Sequence, residues 1–350
     1  MMRYFSCLFI ILAAACNPSA ENQQDTLMKK ATWQHQSMTK ELSFRGISVA
    51  SERVAWVSGN HGTIMVTSDG GTQWQQIHMP GYEQMDFRDI EVLGPDTVLV
   101  MSAGSPGVIL KTKDGGVHWH EVYFDERPEI FMNSMAFFNH EHGMVVGDPL
   151  NGRIFLMQTH DGGETWTPLP DRHRPIPEEG EYLFAASGNC LITWGTSSAA
   201  FVTGGSRARV WRTEDAGLHW QPIETPMKSG MPTFGMYAIC RTESGCYCVG
   251  GDYTDPDNRD RTFSVAPVQC NEWQLPDLPP GGFRSCIKAM WINDQEILIA
   301  TGMNGTDASS NGGRSWHAID TLGFHTMDVD PSGSVLFAAG SEGRISKLRF

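Results

Sequence analysis

Thr67-Ser68-Asp69-Gly70-Gly71-Thr72-Gln73-Trp74 decides the fold, because the same pattern returns along the chain. The copies are Thr112-Lys113-Asp114-Gly115-Gly116-Val117-His118-Trp119, Thr159-His160-Asp161-Gly162-Gly163-Glu164-Thr165-Trp166 and Thr213-Glu214-Asp215-Ala216-Gly217-Leu218-His219-Trp220. A last copy, Ser309-Ser310-Asn311-Gly312-Gly313-Arg314-Ser315-Trp316, replaces the Asp by Asn. The carboxylate or amide oxygen accepts hydrogen bonds from turn amides, as in an Asx-turn. The glycines supply the positive φ of a tight hairpin. The Trp starts the following strand and buries a large ring between sheets. One Asp-Gly-Gly is common in any chain, but repeated copies with the flanking hydroxyl and Trp mark a repeating β unit.

Working outward, the Trp spacings are 45 (74 to 119), 47 (119 to 166) and 54 (166 to 220). The next Trp in register are Trp273 and Trp316; beside Trp273 the motif has decayed to Val268-Gln269-Cys270-Asn271-Glu272. A period of about 45 residues matches one four-stranded propeller blade. The motif itself resembles the Asp-box, or BNR repeat, so Asp69, Asp114, Asp161, Asp215 and Asn311 are expected to be structural. No Trp follows the last strand-like runs of residues 323–350, while Ala31-Thr32-Trp33-Gln34 looks like the strand after an Asp-box. The N-terminal strand (31–38) should therefore complete the last blade. The expectation is an all-β, seven-bladed β-propeller over residues 31–350, closed by both ends so that only short edges remain.

Each blade should begin with its innermost strand. The starts read Phe44-Arg45, Phe87-Arg88, Phe131-Met132, Phe234-Gly235, Phe283-Arg284 and Phe324-His325, with blade four less regular. The Asp-boxes then lie on one face, and a site is expected on the other, around the channel mouth.

Of the 350 residues, 40% are hydrophobic and 19% charged, and the formal net charge is −14. An acidic chain repels phosphate backbones, so nucleic acid is not an expected partner. The N-terminus reads as an export signal: Arg3, then an apolar Phe5–Ala15 too short to span a bilayer. Leu12-Ala13-Ala14-Ala15-Cys16 resembles a bacterial lipobox, although the usual Leu three places before the Cys is Ala13. The resemblance implies a signal peptide over 1–15, acylation of Cys16 and a polar tether over 16–30. The chain is thus expected in the bacterial cell envelope, lipid-anchored, periplasmic or surface-facing; ordinary secretion is the alternative.

Phe184-Ala185-Ala186-Ser187-Gly188, Thr203-Gly204-Gly205, Gly250-Gly251-Asp252-Tyr253, Gly282-Phe283-Arg284-Ser285 and Gly323-Phe324-His325 carry a more specific similarity. Together with Gly147-Asp148-Pro149 and Gly152-Arg153, they resemble a bacterial propeller family related to the photosystem II stability and assembly factors. Members are often labelled oxidoreductase. No nucleotide-binding glycine motif follows a strand, and no flavin or haem motif is present, so no cofactor is expected. The resemblance implies a fold far more than an activity.

On the mouth face, Arg45, Arg88, Arg284 and His325 fall at matching positions of contiguous blades and should form a basic sector. Asp148, Arg153, Asp252 and Tyr253 fall at second-strand ends on the same face. Convergent arginines bind carboxylates bidentately. The expected function is binding of a protein segment or acidic ligand by a monomeric module; structural pairing of each Arg with a neighbour is the bland alternative. A second reading is a glycoside hydrolase or lyase using Asp148, Asp252, Glu179 or Glu181. Sialidases also set an arginine triad on Asp-box propellers, but they have six blades, and Phe44-Arg45-Gly46-Ile47 lacks the Pro of their corresponding segment. The acidic run 252–260 lacks the pattern of a calcium loop, and His118 and His120 have no third ligand near, so no metal is expected. Of the later cysteines, Cys240, Cys246, Cys248 and Cys270 cluster in blade five, where the Asp-box has decayed. Cys246 and Cys270 both sit near turns on the Asp-box face, so a bridge between them would replace the missing turn network; four cysteines allow other pairings.

Overall fold

The computed structural model describes residues 31–37 and 40–350. Cys16, the export signal and the whole tether lie outside them. Seven sheets succeed one another around a ring. The innermost strands are Phe44–Val49, Phe87–Val92, Met132–Phe137, Leu191–Trp194, Phe234–Arg241, Cys286–Ile292 and Thr326–Val329. Every strand pair is antiparallel, so each blade is a meander from the channel outward. The outermost strand of blade seven is Thr32–Ser37, which pairs with Arg344–Arg349 in the register Thr32 with Arg349. The ring is thereby closed by strands from the two ends of the described chain.

The repeated turns behave as their chemistry dictates. The Thr67 hydroxyl donates to Asp69 Oδ1 at 2.9 Å and accepts from Gly71 N at 3.0 Å. Asp69 Oδ1 also accepts from the amides of Thr72 and Gln73. Asp114, Asp161, Asp215 and Asn311 repeat the arrangement. The Gln73 amide bond, foremost, holds the Asp69 carboxyl below the usual range. Glycine is required at the fourth turn position: Gly71 has φ +87°, and a Cβ there would meet the Phe337 ring at 2.6 Å. That ring belongs to blade seven, and Trp74 meets it edge-on at 6.0 Å. The same wedge recurs where Trp119 meets Trp56 and Trp316 meets Phe263.

Blade five departs from the pattern. Its sheet has five strands, running Glu181–Tyr182, Gly204–Gly205, Phe234–Arg241, Cys246–Asp252 and Phe263–Ala266. Two short strands that precede it in sequence thus add to its inner side. They fit because the contact is glycine on glycine: a Cβ on Gly204 would lie 2.8 Å from Gly235 Cα, and one on Gly250 1.9 Å from Gly235 O. The outer strand is reduced to a bridge between Val265 and Gln274. In place of the decayed turn network, Cys246 and Cys270 form a disulfide with Cα atoms 5.4 Å apart.

The segment from Leu183 to Asn189 crosses the channel. Leu183 N donates to Asp148 in blade three, Ser134 Oγ to Gly188 O, and Ser187 Oγ to Ser285 O in blade six. Thr326 Oγ1 of blade seven donates to Ser187 O, and Ile239 N of blade five to Asn189 O. Arg45 and Arg88 donate to Ala186 O and Ala185 O. The segment therefore bonds to all six blades outside its own and divides the channel into two vestibules.

Candidate functional site

The mouth vestibule is a cavity of about 250 Å³, lined by Arg45, Arg88, Phe184, Ala185, Ala186, Tyr237, Tyr253, Phe283, Ser285, Met303 and His325. Its floor is the crossing segment. One wall is aromatic: Phe184 stacks on Tyr237 at 3.9 Å, and Tyr237 meets Phe283 edge-on at 4.7 Å. Tyr253 and Met303 stand half-exposed at the rim. The other wall is basic. Arg88 Nε donates to Asp86 at 2.7 Å and its Nη1 to Ala185 O at 3.2 Å. Arg45 donates to Ala186 O at 3.5 Å and makes no ion pair among the described residues; the Asp86 carboxylate, which pairs with Arg88, acts on it from farther off. Burial, then the charge of Arg88, lowers the Arg45 pKa. His325 is held at about 3, by burial first and then by Arg45, Arg88 and Arg344, so at neutral pH it is uncharged. The positive charge of the vestibule comes from the two guanidinium groups, and no carboxylate lines the cavity.

The structure brings Arg45, Arg88, Tyr253 and His325 together and sends the other expected residues elsewhere. Arg284 does not face the cavity, contrary to the sequence expectation. It is 2% exposed; its Nε donates to Asp307, and its Nη1 to Phe283 O and Asn304 Oδ1. Asp307, on the third strand of its own blade, captures the guanidinium before it can reach the channel. Asp148 lies under the crossing segment, accepts from Leu183 N at 3.0 Å, and is pushed by burial up to about 7. Arg153 donates to Arg174 O at a blade-three turn. Asp252 accepts from the amide and hydroxyl of Thr254.

Of the carboxylates of the hydrolase reading, Glu179 is exposed and Glu181 is committed within the fold. Glu181 is 1% exposed and accepts from Arg209, Trp211 Nε1 and Thr203 Oγ1. Glu178, which pairs with Arg207, flanks that cluster. Neither Asp148, Asp252, Glu179 nor Glu181 lines the mouth cavity.

Sequence reasoning did not place Phe184, Ala185, Ala186, Tyr237, Phe283 and Met303 in the site. The Phe184–Gly188 run carried a signal, as part of the family similarity. Its path across the channel depends on partners scattered over six blades.

Against known proteins, the family model for the photosynthesis system II assembly factor YCF48 matches residues 25–129. No curated protein sequence matches the chain. Among solved structures, YCF48 bound to D1 peptide is similar with TM-score 0.62 at 14% identity, covering 91% of this chain and 97% of that one. YCF48 from Cyanidioschyzon merolae gives TM-score 0.62 at 14% identity, with 91% and 98% covered. The GH74 xyloglucanase from Xanthomonas campestris gives TM-score 0.59 at 12% identity; the match covers 90% of this chain but 53% of that enzyme. The recurring turn, the seven-bladed ring and the family model together make this chain a BNR-repeat propeller related to the photosystem II assembly-factor family.

Proposed function

We propose that the chain is a protein-binding or assembly module whose mouth vestibule grips an acidic segment of a partner. The observation that carries this reading is Arg45, a partly buried guanidinium with no ion pair among the described residues, beside Arg88 in a cavity whose lining residues include no acid. A buried cation without a counter-charge is costly, and a ligand carboxylate would supply one. The aromatic wall opposite suits an apolar side chain next to that carboxylate. A solved relative in fold, YCF48, is bound to a D1 peptide, which supports a peptide as the occupant here. The committed state of Glu181, Asp252 and Asp148 supports binding over hydrolysis.

The test is fluorescence polarisation with a labelled peptide carrying Leu-Glu-Phe and a Leu-Gln-Phe control. Arg45→Ala with Arg88→Ala should weaken the Glu peptide by about tenfold or more, since charge-assisted hydrogen bonds contribute about 1.5–3 kcal/mol. The Gln control should bind the native protein comparably weakly. Equal affinity for both peptides would refute the reading.

The same proposal places the module on the cell envelope through an acylated Cys16, supported by the lipobox-like Leu12–Cys16 run. Metabolic labelling with an alkyne fatty acid should mark the protein, and Cys16→Ser should abolish the label; persistent labelling of Cys16→Ser would overturn the assignment.

A further inference from the structure

The larger cavities lie on the opposite face, below the crossing segment. Two adjoining cavities of about 470 and 560 Å³ share Ile192, Thr193 and Lys288, and Gly188 and Asn189 of the crossing segment line the first. The second opens among the first-to-second-strand turns of blades five, six and seven, the face that carries the Asp-boxes. Its volume falls within the range of small-molecule sites, about 300–1,000 Å³.

Two indoles line it, Trp194 from blade four and Trp291 from blade six. Trp291 is 46% exposed, unusual for so large a ring. It is also firmly seated. Its amide donates to Gly333 O at 2.7 Å, and a Cβ on Gly333 would sit 2.8 Å from its Cδ1. The ring rests on a position that only glycine leaves open, and the blade-seven turn fixes it there. Trp194 carries the Arg241 guanidinium over its ring at 5.0 Å, which makes a second flat platform.

The charges around these platforms are mostly satisfied within the protein. Lys288 Nζ pairs with Asp328 Oδ1 at 3.0 Å, and Asp328 Oδ2 accepts from Val49 N. Asp330 accepts from Ser332, Ser334 and Val335. Arg241 donates through Nε to Val268 O, and its two terminal amino groups have no hydrogen-bond partner among the described residues. Glu243, two residues on and also lining the cavity, has no partner among the described residues. One free donor fork and one free carboxylate of opposite sign favour no net ligand charge. They fit a molecule that both donates and accepts and that has apolar faces for the indoles, which is the chemistry of a neutral sugar ring.

From this geometry we infer a second ligand site on the Asp-box face, which takes a neutral saccharide between Trp291 and the Trp194–Arg241 platform. Glu243 and Arg241 hold neighbouring hydroxyls, and the sugar's C–H face lies against the exposed Trp291 indole. The crossing segment walls this site off from the mouth, so the two bind independently.

Intrinsic Trp fluorescence, titrated with cellobiose, maltose and N,N′-diacetylchitobiose in turn, tests the assignment. At least one should give a saturable change. Trp291→Ala should weaken that affinity by about tenfold, equivalent to about 1.4 kcal/mol. Glu243→Ala, an exposed change that leaves the packing intact, should weaken it comparably. Arg45→Ala with Arg88→Ala should leave it unchanged, which separates this site from the peptide-binding reading. No saturable response to any of the three sugars, or a response that survives both Trp291→Ala and Glu243→Ala, overturns the inference.

Discussion

Arg45, Arg88 and Arg284 each follow a Phe at an inner-strand start in the sequence, yet they do different things: the first two lie on their strands, and Arg284 lies just before Cys286–Ile292. Arg284 meets Asp307 and is sealed into blade six, whereas Arg45 finds only a carbonyl and keeps its charge for the cavity. The difference lies in one residue on a neighbouring strand, which the Phe-Arg pattern does not report. Arg284→Ala should therefore act on stability and not on binding. It leaves the Asp307 carboxylate buried without its counter-charge, a loss of about 3–5 kcal/mol when a buried pair is broken. Thermal unfolding should register a large fall in Tm, with peptide affinity at the mouth within about twofold of native. A mouth-binding defect without a Tm change would put Arg284 back in the site. His325 illustrates dependence on surroundings: burial first, then the charges of Arg45, Arg88 and Arg344, hold it at about 3. Its sign is unfavourable in acid, because unfolding lets it take a proton as pH falls below its ordinary value near 6.5.

Blade five shows how one element substitutes for another. In blades one to four a Thr hydroxyl and an Asp carboxylate hold the turn between the third and fourth strands with contiguous residues, and in blade six Ser309 and Asn311 do so. Here a covalent link between Cys246 and Cys270 spans 24 residues at the same place, and the fourth strand shrinks to a bridge. Loop-closure entropy gives such a link about 2–4 kcal/mol. Cys246→Ser with Cys270→Ser should lower Tm, and reductant should lower the native Tm to the same value without affecting the variant. Unchanged melting of the double variant would show that the blade stands without the bridge. The remaining thiols in this region serve packing: burial pushes Cys240 up to about 12 and Cys286 up to about 11, far from reactive. The five-stranded sheet was not legible in the sequence. Gly204, Gly235 and Gly250 stood out as part of a family similarity, but their shared role, backbone against backbone, needs three distant segments in one place.

At the scale of the whole molecule, the ring has two faces with separate openings. The Asp-box turns and the first-to-second-strand turns share one face, and the arginine mouth takes the other. Residues 183–189 stand between them, bonded to six blades. The sequence reading put any site on the mouth face alone. The larger cavities lie on the Asp-box face, among strand-end residues that the inner-strand starts do not report.

The amino-acid sequence by itself determined the ring: the turn chemistry is local to each repeat, and the blade count and the closing strand follow from the regular spacing of those repeats along the chain. It also placed Arg45, Arg88 and His325 together, because equivalent positions on contiguous blades converge on one axis, and Tyr253 at a second-strand end on the same face. Only the tertiary structure decided that Arg284 is locked away and that the channel is divided. Those outcomes depend on Asp307 and on partners of the crossing segment that lie on other strands and blades. Periodicity governs where a strand starts, but a side chain's final partner is whichever complementary group the assembled fold brings within hydrogen-bonding distance.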